Sequence, residues 1–347
     1  MWIFYISLII SYLILLIDRL NKKHNDKISI VSIIVVIILL SIVSGSRTAF
    51  VDTEAYVNLY KNIDNINIFN DNYEFGFMIL LKILHYFSKN PQFMLFITAF
   101  ITNFLFLITL RRYSKGCYGE LIIYMYITGG TFISTMNGMR QYLAAAILFY
   151  FTYLIERKCT YKYILICLIA STIHVSALIM IPIYFLVNTK AFSKKTICII
   201  FISSIFIIFF NPIINYLYGV IGGKFGQYSD FNEGGANLIR VFVSAVPLIF
   251  AFIYRKLFDS NKFNVDLFIN MSLFDVLIMI ISLYNWIFAR FTIYMALYNL
   301  ILLPYIMKSL IYKRERKLIY YLFLVFYFIF FYYESIASNI KYIGLLN

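Results

Sequence analysis

Long apolar runs alternate with short basic gaps along the whole chain. A bilayer core takes about 20 apolar residues per helix, and the runs at 2–18, 28–46, 91–110, 118–135, 140–155, 196–218, 238–256, 264–284, 288–307 and 317–334 predict spanning helices. Two stretches do not fit a single crossing. Residues 75–88 are short and carry Lys82 and His85, and residues 163–187 are long with the polar break Ile173-His174-Val175-Ser176 in the middle. Each half of 163–187 is too short to cross upright, so it is either a re-entrant hairpin or one tilted helix. The first run lacks a basic n-region and a small-residue cleavage site, which predicts a retained helix. No repeat at a fixed period and no heptad pattern is visible.

Charge fixes an expected orientation. The strongly basic gaps lie at 19–27, 111–115, 157–162, 190–195, 255–262 and 308–317, and they hold most of the 30 Lys/Arg. Basic loops stay cytoplasmic. All six do so only if 75–88 does not cross and 163–187 returns to the side it entered from, with both termini outside. The composition agrees with a membrane solvent: of 347 residues 62% are hydrophobic and 13% charged, against about 25% charged in soluble domains. Four scattered cysteines exclude a disulfide scaffold, and 36 Phe with 31 Tyr exclude disorder. The net charge of +14 carries no basic patch interleaved with readout residues, so no nucleic-acid partner is expected. The expected fold class is all-α, a polytopic bundle of about 10–12 transmembrane helices with short or re-entrant elements. Residues 1–347 form one transmembrane domain with outward loops at 47–90 and 219–237.

On that topology acids and bases alternate at the outer membrane edge, where charge is costly and marks function. The outward set contains Arg47, Asp52, Tyr56, Tyr73, Glu74, Asn137, Arg140, Gln141, His174, Arg240, Arg290 and Tyr294. Arginine forks engage phosphate oxygens bidentately, so Arg47, Arg140, Arg290 and Arg240 are candidates for a diphosphate. Transfer to a sugar hydroxyl needs a proton acceptor, for which His174 ranks first because its free pKa of about 6.5 lies near working pH. Asp52 ranks second and Glu74 third. Tyr56, Tyr73, Asn137, Gln141 and Tyr294 are candidates for sugar contacts. Plainer roles stand beside these: arginines snorkel to headgroups, Asp52 caps the helix beginning near Glu54, and Glu74 favours a helix N-terminus. His24 and His85 read as structural. Asp275 reads as a buried hydrogen-bonded or protonated acid, with no partner evident in the sequence. No metal or cofactor signature is present.

Four strings in order carry a family resemblance: Ser44-Gly45-Ser46-Arg47 with Val51-Asp52-Thr53-Glu54-Ala55-Tyr56; Tyr73-Glu74-Phe75-Gly76-Phe77; Asn137-Gly138-Met139-Arg140-Gln141; and His174-Val175-Ser176-Ala177. They resemble the EpsG family of bacterial exopolysaccharide proteins, similar to Wzy-type O-antigen and capsule polymerases. The resemblance is strongest over 44–190 and rests mainly on hydropathy beyond, with Arg290 and Tyr294 as a tail match. One departure is Val51, where the family commonly has glycine. The resemblance implies a GT-C-like bundle in the bacterial inner membrane that joins undecaprenyl-diphosphate-linked repeat units on the outer face, with donor and acceptor lipids as partners. A chain-length regulator and a flippase of the same pathway are further expected partners. The alternatives are a lipid-linked oligosaccharide flippase and a glycan O-acyltransferase. A flippase predicts polar residues through the bundle and an internal repeat.

Overall fold

The computed structural model describes residues 2–21, 27–69, 73–115, 117–208, 234–258, 264–310, 312–337 and 341–345. Most of the loop expected at 219–237, and the second half of the run at 196–218, lie outside the described residues.

Helices follow the apolar runs. The first six are α1 (Trp2–Leu20), α2 (Ile30–Gly45), α3 (Thr53–Lys61), α4 (Phe75–Phe87), α5 (Pro91–Tyr113) and α6 (Gly119–Thr128). They are followed by α7 (Thr131–Asn137), α8 (Met139–Tyr150), α9 (Thr152–Glu156), α10 (Thr160–Ser171) and α11 (Met180–Val187). The chain continues with α12 (Lys194–Ile208), α13 (Leu238–Ile253), α14 (Val265–Ile281), α15 (Ala289–Ser309) and α16 (Lys313–Ala337). Among the described residues four helical stretches are long and apolar enough to cross a membrane: Trp2–Leu20, Pro91–Tyr113, Trp286–Ser309 and Lys313–Ala337. Six shorter apolar helices accompany them. The chain is a polytopic helical membrane protein.

Several runs expected as single spans are broken. The run at 118–135 stops at Gly129-Gly130, where Gly130 has φ 81°, a left-handed conformation that costs glycine least. The run at 140–155 is interrupted at Phe151, between α8 and α9. Residues 163–187 are not one tilted helix: α10 ends at Ser171 and a 3-10 turn, Val175–Ile179, precedes α11.

The chain divides into two compact units, one of Met1–Ile181 with Leu303–Asn347 and one of Pro182–Leu302. In the first, α2 packs on α1 and α5, α5 on α8, and α6 on α1 and α16. Gly45 permits the α2–α5 approach, because a Cβ there would stand 2.9 Å from the Phe96 backbone. At one end of this unit the Arg19 Nε–Glu120 Oε1 ion pair (2.8 Å) closes α1 on α6, and the Tyr320 hydroxyl of α16 donates to the same carboxylate. A two-stranded antiparallel sheet pairs Arg47–Ala49 with Ile343–Gly344. The Tyr342 hydroxyl pins that strand by donating to the Val43 carbonyl at 2.8 Å. In the second unit α14 packs on α12 and α13.

Candidate functional site

Arg47 follows the Ser46 cap of α2 and is 1% exposed. Its Nε donates to Thr53 Oγ1 at 3.2 Å, one terminal nitrogen donates to the Ser44 carbonyl and hydroxyl, and the other approaches Met139 Sδ. Burial pushes this guanidinium down to about 10, with the Tyr342 and Tyr56 hydroxyls acting in the opposite sense, so it remains charged at neutral pH. Thr53 thus receives Arg47 while donating to the Phe50 carbonyl at 2.6 Å. Asp52 occupies the N-cap position of α3 but makes no side-chain cap bond, and it is exposed. Val51 just before it has φ 37°, a conformation costly for a β-branched residue.

One turn along α3, the Tyr56 ring lies buried against Phe77 at 6.0 Å, and its hydroxyl accepts from Arg140. Arg140 is the centre of the site. It sits in the first turn of α8, beside the break that Gly138 makes with α7. One terminal nitrogen donates to Glu74 Oε2 at 2.6 Å, and the guanidinium carbon stands 4.8 Å from the Tyr73 ring centroid. Both partners of the ion pair are about four-fifths buried, at 21% and 19% exposure, so solvent screens it little. Glu74 caps α4 by position without bonding its own helix. Its Oε1 instead accepts the Val175 backbone N–H at 3.0 Å. One carboxylate therefore ties α8 and the helix break at His174 to the entry of α4.

Gly76 makes that docking possible. The Phe77 N–H donates to the Thr172 carbonyl at 3.2 Å, and a Cβ on Gly76 would collide with the Thr172 side chain. His174 itself is extended (φ −154°, ψ 118°) and caps the following 3-10 turn. Its Nδ1 accepts the Ser176 N–H at 3.3 Å and lies 2.7 Å from Ser176 Oγ. Gln141 Nε2 donates to the same hydroxyl at 3.1 Å. A backbone donor aimed at Nδ1 keeps the ring proton on Nε2.

Two polar atoms of this cluster are buried and lack a hydrogen-bond partner: Arg140 Nε, a donor, and Asn137 Oδ1, an acceptor. They stand three residues apart, on either side of the α7–α8 break. Unsatisfied buried groups are costly, about 1–3 kcal/mol each, and each calls for an explanation, a bound ligand, water or ion among them.

Thus the first unit brings together Glu74, Arg140, Tyr73, Tyr56, Asn137, Gln141 and His174, with Arg47 beneath Asp52 and Thr53. Arg240, Arg290 and Tyr294 belong to the second unit. Arg240 lies in the first turn of α13, Arg290 stands 4.8 Å from the Trp286 ring centroid, and Tyr294 is buried.

The second unit repeats the local construction of the first. Between α14 and α15, Asn285 is extended (φ −153°, ψ 120°) and its side chain accepts the Ile287 N–H, opening the 3-10 turn Trp286–Phe288. The entry of α13 docks here as the entry of α4 docks at His174. The Ala236 N–H donates to the Ser282 carbonyl at 2.7 Å, as Phe77 does to Thr172, and the Trp286 N–H finds the Gly234 carbonyl at 3.2 Å, as Val175 finds Glu74. Gly235 takes the part of Gly76, since its Cβ would collide with the Leu283 carbonyl. Each break carries an arginine over an aromatic ring at 4.8 Å. Asn285 and Trp286 were not singled out in the sequence, and Gly235 was read only as part of a glycine-rich outward loop, because the two breaks share geometry and no string of residues. Ser176 and Thr172 were missed as partners, although the His-x-Ser spacing is itself a capping signal.

Comparison with known families returns one finding: the model of the EpsG family matches residues 30–347. The match reaches well past the four motifs and takes in the C-terminal half, where the likeness rests mainly on hydropathy with Arg290 and Tyr294 as a tail match. Neither the curated proteins nor the solved structures give a match.

Proposed function

The chain belongs to the EpsG family, and from that premise we propose that it is a membrane glycosyltransferase that polymerises lipid-linked oligosaccharide repeat units. Family membership supports an exopolysaccharide-related, polymerase-like role; the finer reading rests on the site. The observation that carries it is the open pair at the α7–α8 break, Arg140 Nε and Asn137 Oδ1. A buried, unpartnered donor on a cation, three residues after a buried, unpartnered amide acceptor, would suit a ligand that presents an anionic oxygen near a hydroxyl. The sugar diphosphate head of an undecaprenyl-linked repeat unit is such a ligand. The N-terminus of α8 adds its dipole to the same place.

In the reaction, a hydroxyl of the acceptor's terminal sugar attacks the anomeric carbon of the donor glycan. The anomeric carbon–oxygen bond to diphosphate breaks, the glycan moves to the acceptor, and the lipid diphosphate leaves with its charge. Arg140 meets that developing charge, held in place by Glu74 and the Tyr73 ring. Hydrogen bonds to charged groups contribute about 1.5–3 kcal/mol each. The acceptor's proton goes to a base. His174 ranked first in the sequence, but the proton on its Nε2 makes it a donor, suited to a diphosphate oxygen. Asp52 better fits the base: its carboxylate is exposed, has no side-chain cap bond, and stands one helical turn from Tyr56. Arg47 supports that turn from below through Thr53. The outer face of the inner membrane is where such substrates meet.

One observation favours a second reading, a lipid-linked oligosaccharide flippase: the broken-helix construction occurs in both units, as transporter repeats do. Proteoliposomes carrying lipid-linked repeat units in one leaflet separate the two. Polymer of several repeats in that leaflet, lost in Arg140→Ala, supports the polymerase. Monomeric units appearing in the opposite leaflet, with no polymer, would replace it with the flippase.

A further inference from the structure

Asp275 in α14 is an acid that the proposed reaction does not use. It is 1% exposed, and its Oδ2 accepts from Asn299 Nδ2 of α15 at 2.8 Å. Asp275 Oδ1 and Asn299 Oδ1 are both buried with no hydrogen-bond partner. The Ser244 hydroxyl of α13 is the acid's other polar neighbour, and its oxygen too is buried with no hydrogen-bond partner. Among the described residues, no basic side chain acts on it. The charged groups described on the elements packed around α14 sit at helix ends: Arg240 on α13, Arg290 and Lys308 on α15, Lys194 and Lys195 on α12. On α14 itself, Asp266 is bound to the Ala191 N–H.

A bare carboxylate in an apolar bundle is costly to desolvate, and one bond from a neutral amide donor does not offset that cost. An acid and an amide joined by one N–H···O bond leave one oxygen on each side, and here both are the orphans. A single proton resolves both deficits, since it removes the charge and turns Asp275 Oδ1 into a donor for Asn299 Oδ1. We propose that Asp275 and Asn299 form a buried proton-binding site, closed as a neutral acid–amide pair that fixes α14 against α15. The proposal stands independently of the glycosyl-transfer reading.

The test uses the full-length chain in lipid nanodiscs. Infrared difference spectra between wild type and Asp275→Asn isolate the carboxyl signal. The expected result is a protonated carboxylic acid band that persists from about pH 5 to about pH 8 and moves in Asn299→Leu, where its acceptor is gone. Asp275→Asn retains both bonds as an amide–amide pair, so its unfolding midpoint should stay within about 2 °C of wild type. Asp275→Leu should fall well below it. Absence of the band, or failure of Asp275→Asn to fold, overturns the proposal. A midpoint that rises in sodium over choline buffer, with a carboxylate rather than an acid band, would make it a cation site instead.

Discussion

His174 and Asn285 hold the same backbone conformation, φ −154° and ψ 118° against φ −153° and ψ 120°, and each side chain accepts the N–H two residues on. Both residues therefore do one structural task, and only His174 can titrate. His174→Asn should keep the cap, leaving the unfolding midpoint within about 2 °C of wild type, while polymer formation falls if the ring Nε2–H serves the diphosphate. Asn285→His should fold and retain activity. A His174→Asn variant that both folds and polymerises normally would reduce His174 to a cap.

The Glu74–Arg140 pair couples two elements through one partly buried contact. A double-mutant cycle with Glu74→Gln and Arg140→Gln should return a coupling of about 1–3 kcal/mol in folding stability. Each single variant should cost more than the pair, because it leaves a partner charge desolvated. A coupling near zero would mean that the two charges are solvated separately.

Gly76→Ala tests docking without touching chemistry. The added methyl meets the Thr172 side chain and carbonyl, and overpacking of this kind costs about 1–3 kcal/mol. It should also pull Glu74 away from Val175 and lower activity. Thr172→Ala removes the nearer obstruction and should restore part of both losses. Rescue of stability with no rescue of activity would separate the docking from the site.

These relationships show what the sequence carries and what it hides. The motif strings lie in order along the chain, and residues of all four meet around Glu74 and Arg140. Yet the pairing spans 66 residues, and nothing in local spacing predicts which arginine a glutamate will find. Asp275 read correctly as a buried polar acid, but Asn299 lies on the next helix, whose facing depends on the turn at Asn285. The recurrence of the broken helix is invisible because backbone dihedrals and carbonyl partners carry it, with His174 and Asn285 serving one cap through different chemistry. Gly129-Gly130 breaks the run at 118–135, which hydropathy alone reads as one span, and the strand Ile343–Gly344 is too short to leave a period-two pattern.

Val51 occupies a backbone position that glycine adopts at the least cost. At φ 37° a branched side chain is strained by about 1–2 kcal/mol, while glycine loses about 0.5–1 kcal/mol of chain entropy on folding. Val51→Gly should therefore stabilise the protein by up to about 1 kcal/mol, read as a raised unfolding midpoint with unchanged activity. A lowered midpoint would show that the Val51 side chain contributes contacts that outweigh the strain.

Lysine substitutions at Arg47 and Arg140 separate a scaffold arginine from a ligand-facing one. Arg47 places donors on Thr53, Ser44 and Met139 at once, a spread that one ammonium cannot cover. Arg47→Lys should lower folding stability by about 2 kcal/mol, while affinity for a diphosphate lipid such as farnesyl diphosphate stays near wild type in the folded fraction. Arg140 has a terminal nitrogen on Glu74 and an unpartnered Nε. A lysine there still reaches a carboxylate, so the unfolding midpoint should change little. The lost Nε donor should weaken farnesyl diphosphate binding about tenfold or more. The opposite pattern, with affinity lost at Arg47→Lys and kept at Arg140→Lys, would move the phosphate contact to the end of α2 and make the Glu74–Arg140 pair purely structural.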